Sequence, residues 1–446
     1  MSENKMGTME IKKLLLTMSV PIMISMLIQA LYNIVDSMFV ARVSEDALTA
    51  ISLCYPIQMI MIAVACGTAV GMNTPLARYL GEGKGSNANQ TALHGIFLAI
   101  CNGIVFALLG FFFSKNFIIF FSTDAHIVEM GTSYLRICTI CSFSIFIQIT
   151  YERIMQATGN TVYNMVIQII GALTNIILDP IFIFGYFGIP AMGVTGAAIA
   201  TVVGQIFAMI LGIVITQKKI TAVRLSLKQW KFNINIIKQI YRVGFPAILM
   251  QSITSFMTVF MNIILMPFSL LAVSVFSIYY KLQQFLLMAI MGMTCALIPI
   301  VSYNYGAGKK TRILEAIHFS LLLSVAVMLV GTVVFQIFPE QLLYLFDAKE
   351  NMLEIGIPAL RIISISFVFV GVSMVLCSAF QALEYEKKSL IITLLRQLLI
   401  LVPLTWVLAH TVGLNNCWWA FPITEIVCAG ISLKILSTVK EDVLNI

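Results

Sequence analysis

Residues 131–137 read Gly-Thr-Ser-Tyr-Leu-Arg-Ile, and residues 356–362 read Gly-Ile-Pro-Ala-Leu-Arg-Ile. The two segments begin 225 positions apart and share their glycine, leucine, arginine and isoleucine. The same offset aligns further identical residues without a gap. These pairs are Lys13 with Lys238, Pro21 with Pro246, Gly67 with Gly292, Gly83 with Gly308, Lys84 with Lys309, Phe121 with Phe346, and Gln156 with Gln381. A constant offset over such a length indicates two structural halves built on one plan.

The composition places this chain in a membrane. Of its 446 residues, 60% are hydrophobic and only 11% are charged, and the mean hydropathy is +0.97. Soluble domains carry about 25% charged residues. In so apolar a chain, an internal repeat is typical of a membrane transporter.

Twelve apolar stretches of the sequence are long enough to cross a bilayer core, which takes roughly 20 residues. They lie near 14–40, 47–73, 91–113, 130–156, 161–186, 193–216, 244–267, 271–301, 314–338, 353–382, 389–410 and 414–437. Since a segment inside lipid must satisfy its own backbone groups, every stretch is expected to be a helix. The sequence therefore predicts an all-α integral membrane protein with twelve transmembrane helices.

The lysines and arginines predict the orientation of these helices. Of the 27 such residues, 20 fall at the two termini or in alternate loops, all on one predicted side. The loops on the other side carry three, which are Arg42, Lys115 and Lys349. Both termini are therefore expected to be cytoplasmic. The net charge of +7 is then a topology signal and an attraction to anionic membrane lipid, and no nucleic-acid partner is expected.

The richest basic cluster divides the chain into two parts. Residues 217–243 form a predicted cytoplasmic linker between an N-terminal six-helix lobe at 1–216 and a C-terminal six-helix lobe at 244–446. Because each lobe has an even number of spans, both lobes have the same orientation, and the repeat is parallel. We expect the chain to work as a monomer.

Patterns typical of enzymes are absent from the sequence. It contains no His-Glu-x-x-His, Gly-x-Ser-x-Gly or Walker loop. Residues 81–85 and 306–310 are rich in glycine, but each segment follows a predicted helix, so we interpret both as helix-ending turns. The nine cysteines form no metal-binding pattern. Neither an enzyme nor a resident cofactor is expected.

Three acidic residues lie inside predicted spans, where they are costly and are functional candidates by default. They are Asp36 in the first span, Asp179 in the fifth and Glu425 in the twelfth. The two aspartates each end a polar stripe on one helical face. The stripes are Gln29, Asn33 and Asp36 in the first span, and Gln168, Asn175 and Asp179 in the fifth.

Asp36 and Asp179 are predicted to lie at one depth, with Asn175 and Thr201 beside them. Two carboxylates, an amide and a hydroxyl form an oxygen-rich site that suits a hard cation such as Na+. Two neighbouring carboxylates also suit a shared proton. In a competing interpretation, Asp36 caps the end of its span and Asp179 ends its helix before Pro180.

The second half of the chain lacks this group of residues. At the 225-residue offset, the positions of Asp36, Asn175, Asp179 and Thr201 hold Met261, Ile400, Leu404 and Ile426. A purely structural acid has no reason to be confined to one half. The first half is therefore predicted to be specialised for ion binding.

The second half has a different predicted pair, Lys281 in the eighth span and Glu425 in the twelfth, at similar depth. The two residues would form a buried salt bridge, or Glu425 would face the central cavity and receive a cationic substrate or a proton. Pro21 and Pro246 each interrupt the hydrogen bonds of a predicted span, and Pro21 is a predicted hinge.

Four segments resemble the multidrug and toxic compound extrusion (MATE) family. They are residues 21–42, which include Tyr-Asn-Ile-Val-Asp at 32–36, and residues 156–160, 175–180 and 196–201. Twelve spans in two six-helix lobes fit that family too, and the resemblance covers nearly the whole chain. It implies a cation-coupled antiporter with a V-shaped pair of lobes.

The resemblance also implies roles for single residues. Asp36, Asn175, Asp179 and Thr201 match the N-lobe cation site of the DinF-like branch of the family. Pro21 matches the proline at which the first span bends. The chain is similar to the MepA-type efflux proteins of Gram-positive bacteria as well.

The NorM-like branch departs from this chain. That branch has acids in spans seven and ten, where this sequence offers Gln251 and Ser378. The difference argues against a sodium site in the C-terminal lobe and leaves Gln251 as an expected part of the cavity lining.

The expected function is secondary active antiport in a bacterial plasma membrane, with organic cations exported in exchange for H+ or Na+. Six residues are predicted to line the substrate cavity or to take part in coupling: Gln29, Asn33, Gln168, Gln251, Lys281 and Glu425. One alternative is a flippase for a lipid-linked saccharide from the same superfamily. Another, of a different class, is a membrane receptor or scaffold that transports nothing.

The predicted orientation is testable by cysteine labelling in a cysteine-free background. A cysteine in place of Lys228 should be shielded from a membrane-impermeant thiol reagent in intact cells, because the linker is expected to be cytoplasmic. A cysteine in place of Arg42 should react, since that loop is expected outside. Labelling at 228 together with protection at 42 would refute the orientation.

Overall fold

The computed structural model describes residues 4–226, 228, 230–346 and 348–444. Regular secondary structure in these residues is helical throughout, and none of them forms a strand. The predicted all-α fold is confirmed, and the long apolar helices make the chain a multi-pass membrane protein. Leu227 and Gln229 of the predicted linker lie outside the described residues.

Ten helices among the described residues are long and apolar enough to cross a membrane, and two bent helix pairs bring the number to twelve when each pair is one span. We number these spans 1 to 12 in chain order. They are Ile11–Ala41, Glu45–Gly81, Gly85–Phe121, Ala125–Ile140 with Phe143–Ala157, Thr161–Phe184, Gly193–Lys219, Ile234–Leu265, Leu270–Gly306, Lys310–Ile337, Glu350–Ser364 with Phe367–Ala382, Glu386–Thr411 and Leu414–Glu441. Several helices run past the predicted stretches, because a helix continues where its residues become polar and the apolar pattern ends.

Spans 4 and 10 are bent at matching places in the two halves. Span 4 bends by 45° and span 10 by 47°. At the bends, the Ser142 N–H donates to the Thr139 carbonyl (3.1 Å), and the Ser366 N–H donates to the Ile363 carbonyl (2.9 Å). Both bonds reach back three residues instead of four, which tightens the helix locally and changes its direction. The repeat seen in the sequence is therefore also a repeat in backbone shape.

The two glycine-rich segments are turns that end helices, as predicted. Gly83 follows span 2 with φ +72°, and its repeat partner Gly308 follows span 8 with φ +66°. Only glycine adopts this left-handed conformation without strain, and it closes a helix by returning N–H groups to the last carbonyls. The Lys84 N–H donates to the Tyr79 carbonyl, and the Lys309 N–H donates to the Asn304 carbonyl, both at 2.9 Å.

The chain forms two compact units. The first comprises Val20–Ile248 and the N-terminal residues up to Met6, and the second comprises Gly7–Ser19 with Leu249–Ile446. The unit boundaries fall inside spans 1 and 7, beside the repeat partners Pro21 and Pro246. Each unit thus includes the N-terminal part of the first span of the opposite half.

The predicted linker, residues 217–243, packs within the first unit. Its backbone is held by side chains of span 3: the Arg224 N–H donates to Asn89 Oδ1 (2.8 Å), and the Asn233 N–H donates to His94 Nε2 (2.9 Å). The indole ring of Trp230 lies 5.4 Å from the ring of Phe97, centroid to centroid. These contacts fix the linker backbone on span 3.

Spans 5 and 6 approach closely because small residues face each other between them. A methyl group at position 204 would lie 2.8 Å from the Gly171 carbonyl oxygen and 3.3 Å from Asn175 Cβ. Glycine at such positions lets two helix backbones pack together. This contact brings the polar side chains of span 5 within reach of span 6.

We expect Gly204→Ala to weaken the pairing of spans 5 and 6, because its methyl group has no room beside a backbone carbonyl. Overpacking of this kind costs about 1–3 kcal/mol and should lower the thermal unfolding midpoint of the purified protein in detergent. Gly212→Ala on the same span is the matched control, since its methyl group would meet Tyr151 Cβ at an ordinary 3.4 Å. Equal midpoints for the two variants would show that the contact does not limit the packing.

Candidate cation-binding site

Asp36 and Asp179 occupy equivalent places near the ends of their helices. Each lies five residues before the last residue of its span, which is Ala41 in span 1 and Phe184 in span 5. Both helices continue through the aspartate, and span 5 also continues through Pro180 to end at Gly185, with φ +81°. The interpretation of these aspartates as helix caps or helix ends is therefore wrong.

The four residues of the predicted site are brought together. The carboxyl groups of Asp36 and Asp179 lie within hydrogen-bonding reach of each other. The Asn175 amide donates to Asp179 Oδ1 at 3.2 Å and to the Thr201 hydroxyl oxygen at 3.3 Å. Asp179 is fully buried and Asn175 nearly so. Spans 1, 5 and 6 thus meet at one cluster of oxygen atoms.

Several oxygen atoms of this cluster have no hydrogen-bond donor. Asp36 Oδ1, Asn175 Oδ1 and Asp179 Oδ2 are buried and unpartnered among the described residues. Each is an acceptor, so the complementary group is a proton, the hydrogen of a water molecule or a small hard cation. These oxygen atoms are therefore suitable ligands for H+ or Na+.

The surroundings of the cluster are apolar and aromatic. A buried core packs beside it from spans 1 to 6, with Val40, Ile118, Ile183, Val194 and Ala197 among its members. The hydroxyl group of Tyr32, one turn before Asp36, is within electrostatic range of both carboxyl groups. The hydroxyl of Tyr134 accepts a hydrogen bond from Gln58 Nε2 at 3.2 Å. In such surroundings an uncompensated charge is poorly solvated, which favours binding of a positive ion.

Tyr32 is a neighbour of the site that the sequence analysis missed. The residue precedes Asp36 by four positions, so the helical period places both on one face. That spacing was the available signal, but a tyrosine in an apolar helix is more often a packing residue.

The remaining residues of the span-1 stripe do not join the carboxyl cluster. Gln29 and Asn33 are exposed, and no hydrogen bond between either side chain and the cluster is formed in the described part of the chain. Polar side chains exposed on a membrane helix are costly against lipid. Gln251 in span 7 is exposed as well and belongs to the second unit. The roles predicted for these three residues stay predictions.

Pro21 lies buried inside span 1, which continues through it without a break. Its carbonyl oxygen accepts a hydrogen bond from the Ser25 hydroxyl at 2.8 Å. Proline has no N–H, so one bond of the helical ladder is missing at this point. The predicted hinge lies beside the boundary between the two compact units.

Gln168, predicted on the same stripe as Asp179, contacts another acid. Its Nε2 donates to Glu152 Oε1 at 2.8 Å, and Gln148 Nε2 donates to the same oxygen at 2.9 Å. Glu152 lies in the second helix of span 4 and is 6% exposed. The sequence analysis did not single out this acid, because it lies near the polar end of its apolar stretch. The spacing of Gln148 and Glu152, four residues apart, was the signal.

In the second unit, Glu425 pairs with Arg396 and not with Lys281. Arg396 Nε lies 2.8 Å from Glu425 Oε1, and both side chains are largely buried. Lys281 is exposed, and its Nζ lies 6.0 Å from the centroid of the Phe346 ring. The predicted pairing of Lys281 with Glu425 is wrong. Arg396 lies in a π-helical segment, Leu395–Leu399, whose wider turn changes which side chains face span 12.

Comparison with known proteins agrees with this architecture. The MatE family model matches residues 21–181 and 246–407. The two matches begin 225 residues apart, which is the offset of the internal repeat. Together they cover more than half of the chain.

Curated relatives match over nearly their whole length. The chain is 24% identical over 432 residues to the multidrug export protein MepA of Staphylococcus aureus (strain MSSA476), covering 96% of this chain and 94% of that protein. It is 23% identical over 430 residues to the protein of the same name from Staphylococcus haemolyticus (strain JCSC1435), with the same coverage.

Solved structures with this fold include transporters. An outward-facing multidrug resistance MATE family transporter of the MOP superfamily aligns with a TM-score of 0.92 at 25% identity, covering 100% of this chain and 99% of that one. A MOP superfamily transporter from Pyrococcus furiosus, described by the reverse polarity of its binding pocket, aligns with a TM-score of 0.91 at 25% identity and 99% coverage of both chains.

A double-mutant cycle tests the ion pair of the second unit. Arg396→Met and Glu425→Gln should each destabilise the protein by about 3–5 kcal/mol, since each leaves one buried charge unpaired. The double variant should lose less than the sum. Lys281→Met is the control and should change stability little. The measurement is the thermal unfolding midpoint in detergent, and additive losses at 396 and 425 would contradict the pairing.

Proposed function

Because this chain belongs to the MatE family, we propose that it is a secondary active antiporter that exports organic cations in exchange for H+ or Na+. The observation that supports this proposal best is the pair of carboxyl groups at Asp36 and Asp179, with buried oxygens that lack a donor. Relatives named as multidrug export proteins support the export of drugs.

The coupling ion acts on the balance between two conformations of the transporter. An ion that reaches Asp36 and Asp179 offsets one negative charge of the pair and lowers the cost of keeping the polar residues of spans 1 and 5 away from water. It favours one access state over the other only by its difference in affinity for the two states. Export of a cation then accompanies return of the ion to the cytoplasm.

The proposed setting is a bacterial plasma membrane with both termini in the cytoplasm. The asymmetry of 20 against three lysines and arginines supports the orientation, and the staphylococcal relatives support a bacterial source. In this orientation, the C-terminal ends of spans 1 and 5 face outward. Ions from outside then meet Asp36 and Asp179 before they reach the rest of the first unit.

Removal of either aspartate charge should uncouple transport. In proteoliposomes with an imposed proton or sodium gradient, Asp36→Asn and Asp179→Asn should lose gradient-driven ethidium export and still bind ethidium in detergent. Asn175→Ala and Thr201→Ala should weaken coupling less, because each removes one neutral ligand.

Asp46→Asn is the matched control, since Asp46 is exposed in the first turn of span 2. The gradient that drives the wild type identifies the ion. Export at the wild-type rate by both aspartate variants would overturn the proposal.

A further inference from the structure

Buried and half-buried polar side chains extend from the aspartate pair to Glu152, near the C-terminal end of span 4. We propose that Glu152 is a second station for the coupling ion, which receives the ion from Asp36 and Asp179 and releases it toward the cytoplasm. This inference rests on the proposed antiport function. It adds a residue and a direction of ion movement to the site described above.

A row of polar side chains in spans 4, 5 and 6 is joined by hydrogen bonds and, between those bonds, by single helix turns, and we call this row the ladder. Asn175 bonds to Thr201, and one turn further along span 6 Gln205 Oε1 accepts from the Ser144 hydroxyl at 3.1 Å. Along span 4, Gln148 and Glu152 follow Ser144 at successive four-residue steps, so the three share a face.

Span 5 closes the ladder through Gln168, which bonds to Glu152 at 2.8 Å. Gln168 lies 11 residues before Asp179 on the same helix. At 1.5 Å per residue, the two carboxyl sites are roughly 16 Å apart along span 5. Span 5 thus carries both Asn175, which contacts Asp179, and Gln168, which contacts Glu152.

Glu152 accepts hydrogen bonds and interacts electrostatically with the neighbouring Arg153, but forms no salt bridge among the described residues. Its Oε1 accepts two amide N–H groups. A carboxylate in an apolar bundle without a paired cation is costly, and two neutral amides offset only part of that cost. A bound proton or Na+ removes the charge. Glu425 differs because Arg396 already neutralises it.

Unpartnered acceptors occur at both ends of the ladder. Gln148 Oε1 is buried without a donor beside Glu152, as are Asp36 Oδ1 and Asp179 Oδ2 at the other end. A proton carried by water, or a sodium ion, complements acceptors of this kind. The same chemistry therefore recurs at the two stations.

A purely structural role for Glu152 does not require its charge. A hydrogen bond between spans 4 and 5 needs only a neutral acceptor. The second half builds the equivalent helices with small neutral residues, since Ser373, Cys377 and Thr393 stand at the offset positions of Gln148, Glu152 and Gln168. The second half therefore forms the equivalent helices without an acid at this position.

The proposed orientation gives the ladder a direction. Glu152 lies five residues before Ala157, where span 4 ends on the cytoplasmic side. When the ion is a proton, an O–H bond breaks at the aspartate pair and another forms at Glu152. One carboxylate is regenerated at the pair as the Glu152 carboxylate is neutralised. When the ion is Na+, it exchanges one set of oxygen ligands for another.

The test compares loss of charge with loss of the hydrogen bond between spans. Glu152→Gln removes the charge and keeps an amide in place, whereas Gln168→Ala removes the bond and keeps the carboxyl group. In proteoliposomes with the driving gradient, we expect Glu152→Gln to export ethidium at least tenfold more slowly and to bind it normally in detergent. Gln168→Ala keeps the carboxyl group and should slow export less than Glu152→Gln does. The reverse ranking would show a structural role and overturn the inference.

Asp179→Asn in the same assay separates the two proposals. Loss of export in Asp179→Asn with a wild-type rate in Glu152→Gln would overturn the second station and leave the antiport function standing. Wild-type rates in both variants would overturn the antiport site itself, and the second station with it.

If Glu152→Gln does not insert into the membrane, Glu152→Asp provides the test of the inference. This variant keeps the carboxyl group and shortens its reach, so the inference requires export with a shifted concentration profile for the driving ion, H+ or Na+. An unchanged profile would overturn the inference.

Discussion

A charge buried among apolar helices must be neutralised, and the two units meet this requirement in different ways. The second unit meets it with a permanent partner, because Arg396 holds Glu425 at 2.8 Å. Asp36, Asp179 and Glu152 of the first unit form no salt bridge within the residues that the structure describes. In the proposed function, an exchangeable ion neutralises them. Only an exchangeable partner can link these charges to a gradient across the membrane.

The repeat is retained where the backbone requires it and lost where the chemistry differs. Gly83 and Gly308 both adopt the left-handed turn that ends a span, and the bends of spans 4 and 10 have the same hydrogen-bond pattern. The residues of the candidate cation site and Glu152 have no counterparts at the offset positions. Two copies of one helical plan therefore carry different charges, which suits a division of labour between ion and substrate.

The architecture could be predicted from the sequence, since spans are set by the bilayer and the repeat by a constant offset. The meeting of Asp36 and Asp179 was predictable too, because the fixed rise of a helix converts position into depth. The Lys281–Glu425 pairing failed because depth does not determine which way a side chain faces. The π-helical segment around Arg396 changes the direction in which the side chains point, and no pattern of residue types predicts such a segment. Glu152 was missed because an acid near the end of an apolar stretch resembles one already in water.

The exchange of helix segments between units has a consequence for biosynthesis. Gly7–Ser19 belongs to the second unit, and the start of span 7 up to Ile248 belongs to the first. The first unit is therefore incomplete until the ribosome has passed residue 248. The earliest segment must wait for partners 302 and 303 residues further along the chain, since Lys309 donates to the Gly7 carbonyl and Arg312 to the Met9 carbonyl. The stretch of chain that was duplicated and the stretch that folds as one body are thus different, and neither product of a cut at the linker contains a complete unit.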